Sequence, residues 1–176
     1  MDDHYKIVFI GGSGGGKTCL IQRYIKNDYP AEILSTMGAV FWSKTVNIHG
    51  RPAKFEIWDT SGQESFLMLT PMYFRDASVV IIVFDLTESF ERSKEVFEFV
   101  MKEAMKNSIV VFVGNKIDLV ESRKVDKSTA EEFATENNIL YFETSAKTGE
   151  GVEEMFLQIA EKCVMKEHML PSHHSS

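Results

Sequence analysis

The stretch GGSGGGKT, Gly11 to Thr18, constrains the fold of this 176-residue chain more than any other feature. It fits G-x-x-x-x-G-K-[ST], with Gly11, Gly16, Lys17 and Thr18 in the fixed places. The apolar run Tyr5–Ile10 precedes it, and a helical stripe of Leu20, Ile21, Tyr24 and Ile25 follows it. A strand that enters a glycine-rich loop and leaves as a helix makes a phosphate cradle. Without Cβ atoms the loop can curl so that its N–H groups point inward, and the helix N-terminus adds partial positive charge. Gly11, Ser13, Gly14, Gly15 and Gly16, with Lys17, Thr18 and Cys19 in the first helical turn, are therefore expected to bind phosphate. Lys17 is placed to reach β- and γ-phosphates, and the Thr18 hydroxyl to ligate Mg²⁺. A flexible linker with a chance Lys-Thr is the bland alternative, and the flanking strand and helix weigh against it.

The rest of the chain alternates short apolar runs with helix-period segments. Ala53–Trp58, Ser78–Asp85, Ile109–Gly114 and Ile139–Glu143 read as strands, several of them continuous enough to be buried on both faces of a parallel sheet. Gly151–Lys166 carries Val152, Met155, Phe156, Ile159, Ala160, Cys163 and Val164 on one helical stripe. Ser128 followed by Glu131 suggests a capping box, and the segment after Ser89 a helix with Val96, Phe97, Val100 and Ala104 on one face. Val40–Ile48 and Ala53–Trp58 flank NIHGRP, a hairpin turn around Gly50. The expected fold is α/β: a mostly parallel six-stranded sheet with one antiparallel edge strand and helices on both faces. Residues 1–167 are expected to form one domain, and 168–176 a disordered polar tail.

Ligands of such sheets bind beyond the carboxyl ends of the strands, and the remaining motifs follow strands. In VGNKID, Asp118 can accept two hydrogen bonds from guanine N1–H and its 2-amino group, a donor pair that adenine lacks. Asn115 would brace the loop, and the Lys116 stem would lie along the base. In TSAK, the Ala146 N–H can donate to guanine O6, with Ser145 and Lys147 shaping the loop. In WDTSGQES, Asp59 can hold Mg²⁺ through water, Gly62 can approach a γ-phosphate, and Gln63 can orient an attacking water. Thr36 is a second hydroxyl candidate for Mg²⁺. Each short motif also has an ordinary reading as a turn.

Net charge is −7, so no basic surplus exists for nucleic acid. Two distant cysteines make no disulfide framework, and the start MDDHYK lacks a signal-peptide pattern. A cytoplasmic monomer is expected.

With the phosphate loop, DTSGQ, NKID and TSAK in this order, the chain resembles the Ras-like small GTPases over roughly Tyr5 to Lys166. Within them it is most similar to the Rab branch, in wording nearest its early-endosomal members. That resemblance implies a GDP/GTP switch in vesicle trafficking with slow hydrolysis. It gives Thr36 the role of the switch threonine on Mg²⁺, Tyr29 that of the aromatic against guanine, and Gln63 that of the water-positioning glutamine, a catalytic residue with Lys17. It places Phe41, Trp58 and Tyr73 at the aromatic trio that meets effectors. An exchange factor and a GTPase-activating protein are implied as further partners. There are departures. Gly12 stands where Rabs have Asp, Gly15 where they have Val, Met37 for Ile and Ser61 for Ala, and the segment from Asp85 to Asn115 is about two residues short. MLPSHHSS carries no terminal cysteine, so no lipid anchor is expected in this chain; a prenylated tail beyond it would make the protein peripheral to endomembranes. A phosphate-loop kinase or ATPase, and a nucleotide-holding module that barely cycles, remain the rival readings at this point.

Overall fold

The computed structural model describes residues 3–12, 14–25, 32–34, 39–60, 71–104 and 106–169. Seven strands form one sheet in the order β2-β3-β4-β1-β5-β6-β7. They are β1 (Asp3–Gly11), β2 (Glu32–Leu34), β3 (Ala39–Ile48), β4 (Arg51–Asp59), β5 (Val79–Asp85), β6 (Ile109–Asn115) and β7 (Leu140–Thr144). The helices are α1 (Lys17–Ile25), α2 (Pro71–Phe74), α3 (Phe90–Glu103), α4 (Lys127–Glu136) and α5 (Val152–Met169). The six expected strands are all present, and the sheet is parallel from β4 through β1, β5 and β6 to β7. The antiparallel β3 is not itself the edge. Three residues of β2 pair outside it, a strand too short to leave a periodic pattern in the sequence.

Side-chain alternation along β1 sorts the core into two layers. Ile7 and Phe9 join Leu20, Ile21 and Tyr24 of α1 and Phe156 and Ile159 of α5. Val8 and Ile10 face the other way, toward Phe74, Phe90, Phe97 and Phe112. Tyr24 stacks on Phe156 at 3.7 Å between ring centroids, and Phe112 on Phe133 at 5.3 Å. Thus α1 and α5 cover one face, and α2, α3 and α4 the other.

Local chemistry explains the element ends. The β3–β4 hairpin turns at His49 and Gly50, with φ of 51° and 82°, and the Gly50 N–H donates to the Asn47 side chain at 2.9 Å. Positive φ at both central residues matches the right-handed twist of the paired strands. Ser89 caps α3 by accepting from the Glu91 N–H. The expected capping box at Ser128 is not the start of α4: Asp126 takes the N-cap, and Ser128 lies inside the first turn. Helix α5 continues to Met169, two residues beyond the expected domain limit. Among the described residues, no helix is long and apolar enough to cross a membrane.

Candidate functional site

Because β4, β1, β5, β6 and β7 run parallel, their carboxyl ends share one edge. Register aligns the motifs there: Phe9 lies beside Asp59, Gly11 beside Val83, Asp85 beside Asn115, and Asn115 beside Thr144. The chain leaves β1 toward β4 on one side and returns through β5 on the other, so the glycine loop sits at the switch point.

Two of the cradle's glycines have no room for a side chain. An added Cβ at Gly11 would stand 2.2 Å from the Val83 carbonyl oxygen. At Gly16, where φ is +91°, it would stand 2.4 Å from Asn115 Nδ2. Helix α1 starts directly after, with the Leu20 N–H donating to the Gly16 carbonyl at 2.9 Å. The Lys17 side chain is buried and arches back over the loop, its ammonium donating to the carbonyls of Gly11 at 2.9 Å and Gly12 at 3.3 Å. The Thr18 hydroxyl donates to Asp59 Oδ2 at 2.6 Å, and Asp59 is buried at the end of β4. A hydroxyl and a carboxylate brought together are hard oxygen donors suited to Mg²⁺, which takes one or two protein ligands and completes its shell with water and phosphate. Among the described residues no cluster of three or more His, Cys, Asp or Glu could hold a metal by itself. The Thr18–Asp59 oxygen pair fits a cation that completes its shell with water and phosphate.

Asn115 is the hub between the phosphate loop and the other loops. Its Nδ2 donates to the Gly15 carbonyl at 2.9 Å, while its Oδ1 accepts from the Thr144 hydroxyl at 3.1 Å and the Ala146 N–H at 3.2 Å. Ser145 donates to Asp118 Oδ1 at 2.7 Å, so NKID and TSAK close on one another. Lys116 adopts φ of +74° and pairs with Asp85 Oδ2 at 2.7 Å. Burial works against the charge on Asp85, but the Lys116 ammonium and the Thr87 hydroxyl and amide outweigh it and hold the carboxyl below its usual range. Neither Asp85 nor Arg23, which donates to the Ala146 carbonyl, belongs to a motif read from the sequence.

A network behind β7 stiffens the same edge. Arg123 grips Glu143 with both terminal guanidinium nitrogens, and the Tyr141 hydroxyl donates to Glu143 at 2.5 Å. A cavity of about 570 Å³ adjoins the cradle, lined in part by Gly12, Gly15, Asp85 and Arg92. Its walls include neither Lys17 nor Asp118, so it lies beside the cradle rather than within it.

Away from the cradle, Trp58 stands between Phe41 and Tyr73, edge-to-face with both at 5.8 and 6.2 Å. Lys6 Nζ lies 4.1 Å from the Trp58 ring centre. Phe41 and Trp58 are half-buried, whereas Tyr73 is 1% exposed and supports the others from beneath. Ser13, Tyr29, Thr36, Gly62 and Gln63 lie outside the described residues. Lys17, Thr18 and Asp59 meet at the cradle, and Asn115, Asp118, Ser145 and Ala146 are joined beside it.

The Ras family model matches residues 6–165. The chain is 43% identical over 165 residues to the Ras-related protein RabJ of Dictyostelium discoideum, covering 93% of this chain and 64% of that protein's length. It is 42% identical to the Ras-related protein RABF2a of Arabidopsis thaliana, over 89% of this chain and 80% of that one. To the human Ras-related protein Rab-30 it is 43% identical, over 91% of this chain and 81% of the relative. With its phosphate loop, its buried Lys17 and the closed NKID and TSAK loops set on one parallel edge, the chain belongs to the Ras family and is a small GTPase of the Rab type.

Proposed function

We propose that the protein is a guanine-nucleotide switch of membrane trafficking, which binds GDP or GTP with Mg²⁺ and hydrolyses GTP slowly. The observation that carries this reading is Asn115, whose single amide joins the phosphate loop at Gly15 to the base loop at Ala146. Such a joint sets a fixed span between a phosphate site and a base site. At the base end, Asp118 accepts from N1–H and the 2-amino group of guanine, while the Ala146 N–H, directed toward Asn115 Oδ1, is shared with O6 when guanine binds. Ser145 orients Asp118 by its hydrogen bond, Lys116 lies along the ring, Lys147 shapes the loop, and Tyr29 packs on the base.

At the phosphate end, the N–H groups of Ser13 to Cys19 receive the β-phosphate, and Lys17 neutralises charge on the β- and γ-phosphates. Thr18 and Thr36 would hold Mg²⁺ directly and Asp59 through water; when bound, the ion draws off charge developing on the phosphate oxygens. Gly62 contacts the γ-phosphate, and Gln63 aligns the attacking water. An arginine supplied by a GTPase-activating protein would raise the rate by roughly 10³–10⁵. An exchange factor opens the cradle, and effectors read Phe41 and Trp58 over Tyr73 in the GTP state, at endomembrane surfaces.

Single-turnover hydrolysis of GTP tests the reading. Wild type should hydrolyse GTP in the presence of Mg²⁺, and Gln63→Leu should bind GTP normally while slowing hydrolysis at least about 10-fold. An unchanged rate in Gln63→Leu would remove Gln63 from the mechanism.

A further inference from the structure

Arg23 stands on α1, the helix that opens with Lys17 and Thr18. Its side chain crosses to the loop after β7, where Nε donates to the Ala146 carbonyl at 2.8 Å and Nη2 donates to the Lys147 carbonyl. One planar group therefore holds two consecutive carbonyls, a task that suits the rigid fork of arginine and not the single point of a lysine ammonium. The turn packs onto the arginine stem as well. A Cβ added at Gly149 would lie 3.6 Å from Arg23 Cδ, and the Gly149 N–H closes the turn on the Ser145 carbonyl at 2.8 Å.

The geometry has a consequence for the base. The Ala146 carbonyl and the Lys147 N–H belong to one planar peptide unit, so fixing the first fixes the direction of the second. A carbonyl that accepts from a charged donor is also polarised, which makes the N–H across the same peptide a better donor. On the other side of Ala146, its own N–H is directed by Asn115 Oδ1. The two N–H groups that flank Ala146 are thus set from opposite sides, by β6 and by α1.

We propose that Arg23 is a positioning residue for guanine recognition. It locks the Ala146–Lys147 peptide to the helix that carries Lys17 and Thr18, and so governs how firmly guanine O6 is held and how fast nucleotide leaves. The inference rests on the reading of TSAK as the O6-binding loop. It adds a mechanical link from base to phosphates that bypasses Asn115.

The test is displacement of a fluorescent GDP analogue by GDP and by 6-thio-GDP, whose sulfur at position 6 is a weak hydrogen-bond acceptor. Arg23→Met should weaken GDP about 10-fold and 6-thio-GDP only about two-fold, so that the preference between them drops about five-fold. Arg23→Lys, which keeps the charge and one donor, should recover part of that preference, and its ratio decides the matter if the methionine variant fails to fold. An equal loss for both nucleotides, or no loss, would overturn the proposal and leave Arg23 a purely structural residue. Displacement of the analogue from wild type by ADP is the control. ADP as effective as GDP would overturn the guanine reading itself, and the Arg23 proposal with it, whereas an intact guanine preference with an unmoved sulfur ratio would overturn only the latter.

Discussion

Replacing Gly12 by alanine adds one methyl group where nothing stands within 4 Å and where φ lies outside the left-handed region. The substitution therefore leaves the cradle in place and removes conformations only from its open state. A glycine-to-alanine change of this compatible kind stabilises the ordered form by about 0.4–1 kcal/mol. If the loop must order to hold phosphate, that difference slows GDP release about two- to five-fold. Gly16→Ala should act in the opposite direction. Its φ of +91° is strained for alanine, and the new methyl would stand 2.4 Å from Asn115 Nδ2, which is held by the Gly15 carbonyl. Left-handed strain of about 1–2 kcal/mol, with about 1 kcal/mol for the lost hydrogen bond, should speed release about 30-fold or more. Gly15→Ala falls between them, because its methyl meets the carbonyls of Val83 and Gly12 at 3.3 and 3.4 Å and the crowding offsets the gain. Stopped-flow release of a fluorescent GDP in Mg²⁺ buffer reads all three. Release from Gly12→Ala at or above the wild-type rate would refute the idea that surplus glycine loosens this cradle.

Two further results are expected. The pairing of Asp85 with Lys116 depresses the Asp85 carboxyl, so its stabilisation is complete above the ordinary carboxylate range near about pH 4 and is lost as pH falls through the lower folded value. The stability gap between wild type and Asp85→Asn, measured by urea denaturation, should shrink between about pH 6 and pH 3; a constant gap would contradict this. Cys19 is exposed at the first turn of α1, whereas burial pushes the Cys163 thiol up to about 12. Maleimide at neutral pH should label Cys19 alone until the protein is unfolded, and GDP with Mg²⁺ should slow that labelling. Rapid labelling of Cys163 in the native state would contradict the packing of α5.

The sequence exposed what depends on local pattern. Continuous apolar blocks mark β5 and β6, and each motif follows a strand, which directs the motifs to the carboxyl edge of a parallel sheet. Long-range partners left no such mark. Arg23 meets Ala146 across more than a hundred residues, and nothing in its surroundings on α1 distinguishes it from an exposed cation. Asp85 read as the end of an apolar strand, because its partner Lys116 comes from β6's exit. Local rules also competed: Ser128 matched a capping box, yet Asp126 entered the helix first. The aromatic trio carries no local pattern of its own, and only packing separates the half-buried Trp58 from the fully buried Tyr73.

The central claim is that Asp118 and the TSAK loop select guanine over a cradle that any nucleoside diphosphate could enter. Equilibrium displacement of bound fluorescent GDP by unlabelled GDP and ADP tests it most directly. A site built on buried hydrogen bonds to one base should favour GDP by about 10⁴-fold or more. Displacement by ADP at the same concentration as GDP would contradict the account.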